Sequence, residues 1–146
     1  MSTGATRTSS EDPARWHRVR PPVLVAAAVL GASLLLHLRD PHQSGSWGLC
    51  PWLFLTGSYC PGCGGLRAVN DLTHGDVVAA ASSNLLFVGS IPLAMFVWAR
   101  WARDRWAGRA RVADTRRALA ASVFFITLAV IFWVVRNLPA GSWLAP

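Results

Sequence analysis

The sequence contains no lysine, and all 14 of its basic residues are arginine; acidic residues number only seven. Charged residues make up 14% of the chain, against about 25% in ordinary soluble domains. So thin a charged coat excludes a conventional soluble globule, and 53% hydrophobic residues exclude long-range disorder. No acidic residue falls inside the long apolar runs, which argues against an ion or proton pathway through them. Phosphate-binding loops, serine-hydrolase motifs and nucleic-acid modules are absent too. Cysteine is scarce, with three residues, but all three fall within one short stretch.

Three apolar runs dominate what is present: Val23–Leu38, Leu85–Trp101 and Ala118–Val135. A bilayer core about 30 Å thick needs about 17–25 helical residues at ~1.5 Å each. The third run qualifies alone. The second qualifies if its helix begins near Asp76, and the first must borrow its flanks, where side chains can snorkel. Arg39, Asp40 and Pro41 follow the first run, so it reads as an uncleaved anchor rather than a signal peptide. The expected fold class is all-α and integral to a membrane. It comprises three transmembrane helices plus a short amphipathic helix in the first, exoplasmic, loop.

Arginine placement sets the expected orientation. Arg7, Arg15, Arg18 and Arg20 precede the first run, and seven arginines from Arg100 to Arg117 separate the second from the third. Arg39, Arg67 and Arg136 alone fall to the other side. The positive-inside rule then puts the N-terminus in the cytoplasm of a bacterial plasma membrane and the cysteine loop outside. Arginines that flank spans are explained by topology and contact with the lipid bilayer, so no nucleic-acid partner is expected. Trp16, Trp98, Trp101, Trp106, Trp133 and Trp143 cluster near span ends, as rings suited to the headgroup zone do. The expected organisation is a disordered cytoplasmic tail over 1–20, a membrane domain over 21–138 and an exoplasmic tail over 139–146. The membrane domain includes the cysteine loop 39–84 and the arginine-rich loop 100–117. Pro92 should kink the second span. Three short spans make a thin scaffold, so a homo-oligomer or a partner membrane protein is expected.

The stretch that carries chemistry runs from Gly48 to Asn84. Cys60-Pro61-Gly62-Cys63-Gly64-Gly65 is a tight CxxC turn, with proline and glycine supplying the backbone conformations it needs. A helix from about Gly65 to His74 should follow, stopped by Gly75, with Asp76 as N-cap of the next. At 100° per residue, Arg67, Asn70, Asp71 and His74 share one face, and Cys63 points the same way one turn earlier. Such a helix would lie on the membrane surface or cover the mouth of the bundle; a stripe simply facing water is the plainer alternative.

The ordered motifs resemble the bacterial membrane family called domain of unknown function 2752. They are Cys50-Pro51, Thr56-Gly57, Cys60 through Gly64, Arg67-Ala68, Gly75-Asp76 and Asn84. Leu66 and Leu85 depart from the family pattern, standing where threonine and proline are frequent. The resemblance implies a membrane location and no particular activity.

Three functions compete. In the first the loop is architectural, a metal knuckle or a disulfide-stapled cap, with no enzymatic activity called for. Cys50, Cys60, Cys63 and His74 would supply the four ligands that zinc prefers, with Arg67, Asn70, Asp71 and Asp76 as a supporting polar stripe. In the second, Cys60 and Cys63 form the pair of a thiol–disulfide oxidoreductase and Cys50 relays or resolves. In the third, the chain is a subunit of a transporter or membrane assembly.

Overall fold

A computed structural model describes residues 13–43, 47, 50–109 and 114–144. The N-terminal residues 1–12, part of the expected disordered tail, lie outside the described residues, as do 110–113 of the arginine-rich loop. Five α-helices and a closing 3-10 turn follow in order: α1 (Pro13–Leu38), α2 (Pro51–Thr56), α3 (Gly65–Thr73), α4 (Val77–Trp106), α5 (Thr115–Arg136), then Pro139–Leu144. No strand occurs among the described residues. Three helices are long and apolar enough to cross a membrane, within α1, α4 and α5. At ~1.5 Å per residue the 22 residues of α5 extend about 33 Å, matching a hydrocarbon core.

The chain is built inside out. Leu30, Leu38, Val78 and Phe124 are each largely exposed. The residue that α5 buries is Arg136. Apolar surface on this scale is stable only where the surroundings are apolar as well.

Helix α1 starts at Pro13, well ahead of the boundary at residue 21 that composition suggests. Pro21 and Pro22 lie inside it and withhold two backbone donors. Packing outweighs that cost. Val19 and Pro22 are buried, and Trp98 Nε1 on α4 donates to Pro22 O at 3.2 Å. Helix α1 therefore runs antiparallel to α4, its early residues beside the late residues of α4.

Helix α4 begins as expected, with Asp76 Oδ1 accepting from the Ala79 amide at 2.8 Å. It is broken, however, at Asn84, whose φ of −161° and ψ of 92° are extended. Pro92, the expected kink, lies within the helical stretch beyond, where no residue leaves helical angles. A proline costs a helix one bond and a bend. Asn84 instead leaves the helix and spends its side chain elsewhere.

The expected tail 139–146 is also ordered over most of its length. Its 3-10 turn folds back onto the ends of α5 and α4, burying Leu144. Gly141 makes this return fit, because a Cβ there would overlap the backbone oxygen of Val135.

Candidate functional site

The cysteine loop, the start of α4 and the end of α5 meet at one end of the bundle. Cys50 precedes Pro51, which favours extended backbone before it, and Cys50 has ψ of 118° at the N-cap of α2. Helix α2 ends at Gly57, where φ is 68° and the amide bonds Leu53 O at 2.9 Å. Thr56 Oγ1 donates to Trp52 O and accepts from the Ser58 amide, completing the turn. The chain thus doubles back and returns Cys60 to Cys50.

The CxxC turn closes with Cys63 N donating to Cys60 O at 3.1 Å, and Gly64 at φ 82° leads into α3. The three sulfurs converge. Cys60 Sγ lies 2.9 Å from Cys63 Sγ and 3.7 Å from Cys50 Sγ, and Cys63 Sγ lies 3.4 Å from Cys50 Sγ. The amide of Cys60 points at Cys63 Sγ at 3.2 Å. All three cysteines are free thiols and half-buried.

Two side chains from the spans fasten this turn through its carbonyls. Asn84 Nδ2 donates to Pro61 O at 2.9 Å and to Cys63 O at 3.1 Å. Its Oδ1 accepts from the Phe87 amide at 2.9 Å, so Asn84 is the N-cap of the rest of α4. This explains the break: one buried amide caps a helix and holds the loop. Arg136 Nη1 donates to Cys60 O at 2.9 Å and Cys63 O at 3.1 Å, and Nη2 to Leu144 O at 3.0 Å. The guanidinium also lies 4.9 Å from the Phe132 ring centroid and 5.7 Å from that of Tyr59. Next to it, Asn137 exchanges two bonds with the Tyr59 backbone, each 2.9 Å.

Arg136 is 1% exposed, and among the described residues no carboxylate pairs with it. A buried cation without an anion is costly. The groups beside it that can become anionic are Cys60, Cys63 and Tyr59. The thiols differ in acidity. The Leu53 amide, first, and the hydrogen bond from Cys63 hold Cys50 below the usual thiol value. Burial, reinforced by its hydrogen bond to Cys60, pushes Cys63 up to about 12.

His74 does not join the sulfur cluster among the described residues. It sits at the far end of α3, stacked on His37 with ring centroids 4.2 Å apart, its Nδ1 donating to Asn70 O at 2.9 Å. The middle of the α3 polar stripe, Asn70 and Asp71, turns inward, while His74 and Asp76 are exposed. Asn70 Nδ2 donates to Leu36 O at 2.7 Å, and Asp71 accepts from Ser83 Oγ at 2.9 Å with His42 Nε2 3.3 Å away. Asn70 and Asp71 are both buried, which pins α3 across α1 and α4. Arg67 is half-buried, and Asp76 caps α4. The stripe therefore mounts the helix that carries the turn, and among the described residues it makes no hydrogen bond to the sulfurs.

Sequence reasoning missed Arg136 and Asn137 as site residues. One signal was available: Arg136 is a lone arginine ending the most apolar run, on the arginine-poor side. Ionisable residues at such positions tend to have a specific partner.

A helical membrane protein with three candidate spans and a cluster of three thiols at one end is the class these features define. Within that class, residues 50–98 match the model of a family described as Protein of unknown function (DUF2752). The match bears out the resemblance read from the motifs. It covers roughly a third of the 146-residue chain, taking in all three cysteines, α3 and Asn84 but not Arg136. No curated protein and no solved structure matches the chain.

Proposed function

We propose that this chain is a bacterial plasma-membrane protein whose exoplasmic loop is an architectural metal knuckle, with Cys50, Cys60 and Cys63 as thiolate ligands of a soft divalent ion, zinc first. The convergence of three sulfurs beside a buried arginine that pairs with no described carboxylate carries this reading. A tetrahedral zinc with sulfurs at about 2.3 Å spaces them about 3.8 Å apart. The Cys50–Cys60 and Cys50–Cys63 separations of 3.7 and 3.4 Å are close to that, and Cys60–Cys63 at 2.9 Å must open by under ~1 Å. Three thiolates around a divalent cation leave one net negative charge, which Arg136 neutralises. A disulfide would use two of the three sulfurs and take their negative charge away from Arg136. The fourth coordination position falls to water or an external ligand.

Metal analysis of protein purified without chelator tests this. The expected result is near-stoichiometric zinc, lost in Cys63→Ser, with thiols that alkylate only after a chelator is added. Folded, metal-free protein with freely alkylated thiols would end the proposal.

Thiol–disulfide exchange is the second reading, favoured by the contrast between acidic Cys50 and reluctant Cys63. In that case an external disulfide oxidises Cys60 and Cys63 to a disulfide and is reduced to two thiols; the Cys50 thiolate then attacks Cys63 Sγ, 3.4 Å away, forming a Cys50–Cys63 disulfide as the Cys60–Cys63 bond breaks and Cys60 leaves as thiolate. A trapped mixed disulfide in Cys60→Ser or Cys63→Ser would favour this reading over the knuckle.

A further inference from the structure

The opposite end of the bundle holds a groove that the thiol centre does not use. It lies where the first turns of α1 pass the last turns of α4, and its volume is about 500 Å³. That falls within the ~300–1,000 Å³ typical of small-molecule sites. Arg15, Trp16, Val19, Trp98, Ala102 and Trp106 form most of its wall. Trp98 spends its N–H on Pro22 O, so its ring offers the groove an apolar face. Arg15 stacks over Trp106, its Cζ 5.1 Å from the ring centroid, and no carboxylate pairs with it among the described residues.

Among the described residues the surroundings are mostly cationic, and the carboxylate in these turns, Asp104, lies 3.9 Å from Arg109. Arg20, Arg100, Arg103 and Arg105 belong to the same turns, while the nearby Asp104 is buried. Both walls are helices long and apolar enough to cross a membrane, and the tryptophans mark the level where hydrocarbon meets headgroups. An apolar slot under a cationic mouth at that level complements one molecule type: an acyl chain joined to an anionic phosphodiester.

We propose that the α1–α4 groove binds one anionic phospholipid, its phosphate at Arg15 and an acyl chain along Val19, Ala102 and the tryptophan rings. The proposal rests on the membrane reading and not on the thiol reading. The site fixes the crossing of α1 and α4 where two prolines weaken α1.

Native mass spectrometry of the full chain in detergent tests it, with phosphatidylglycerol, phosphatidylcholine of the same chains, and inorganic phosphate as probes. One phosphatidylglycerol should be retained about five- to tenfold more tightly than phosphatidylcholine, and inorganic phosphate should not displace it. Arg15→Gln should weaken retention about fivefold by removing charge. Ala102→Phe should weaken it by filling the slot with all charges intact. Both variants are checked for folding by the alkylation pattern of the distant thiols. Equal retention of the two lipids, displacement by phosphate, or wild-type retention in either folded variant would overturn the proposal.

Discussion

Arg136 and Asn84 decide the geometry of the thiol centre, although neither bears sulfur. Both donate to Cys63 O, and between them they also hold the carbonyls of Cys60 and Pro61. Asn84→Ala removes those donors and a helix cap, leaving Pro61 O without its side-chain donor while Cys63 O keeps Arg136. A loss of about 2–4 kcal/mol is expected, read as a lowered thermal midpoint in detergent. Arg136→Lys keeps the charge but loses the fork that reaches carbonyls on two segments; partial metal retention is expected. Arg136→Met removes the cation, and metal content should fall further than in Arg136→Lys. Equal metal in Arg136→Met and wild type would show that charge neutralisation is not the residue's role. Acidity gives a pH prediction as well. Cys50, held below the usual thiol value, becomes thiolate at lower pH than Cys63, which is pushed up to about 12. In metal-free protein, alkylation should therefore reach Cys50 at lower pH than Cys63. Metal must displace these protons, so affinity should fall steeply as pH falls.

Elements follow from local rules more often than from apolar runs alone. Gly75 and Asp76 punctuate α3 and α4 as their chemistry dictates, and those boundaries were legible in the sequence. The break at Asn84 was not. Its cause is a carbonyl cluster contributed by residues about twenty positions earlier, which no local pattern displays. The break makes a counter-intuitive prediction. Leu85 is the first residue of the new helix and follows an extended residue, the setting in which proline is accepted. Leu85→Pro should leave stability unchanged or raise it by about 0.4–1 kcal/mol. Phe87→Pro, which deletes the amide bound to Asn84 Oδ1, should cost about 3 kcal/mol or more. Thermal midpoints of the two variants check this, and a collapse of Leu85→Pro would mean α4 is continuous. The 3-10 turn offers a second test. Gly141→Ala would drive a Cβ into Val135 O, a backbone atom with little room to yield. The turn should detach, releasing Arg136 Nη2 from Leu144 O and making the C-terminus sensitive to protease.

At the scale of the whole molecule, the three thiols and the arginine-rich turns stand at opposite ends. The thiol centre, α3 and the closing turn occupy one end, and the groove with the arginine-rich turns of α1 and α4 the other. Three spans and the all-α class were legible because apolar length and scarce charge leave few alternatives. The inward polar face of α3 was not, because helical periodicity tells which residues share a face and not what faces it. Asn70 and Asp71 find Leu36 O and Ser83 only once α1 and α4 are assembled. Arg136 shows the same limit: counted as a loop charge it is a topological exception, and only the assembled end reveals its partners. Under the proposed orientation, a C-terminal alkaline phosphatase fusion should be active, and one placed after Arg109 should not. The reverse pattern would invert the molecule and put the thiols in the cytosol.

X-ray absorption at the zinc edge of the purified full chain probes the thiol centre most directly. For the metal knuckle, three sulfur neighbours at about 2.3 Å and one lighter neighbour are expected, with zinc absent from Cys63→Ser. A zinc shell of nitrogen and oxygen alone, or folded protein whose three thiols are occupied by no metal, would contradict it.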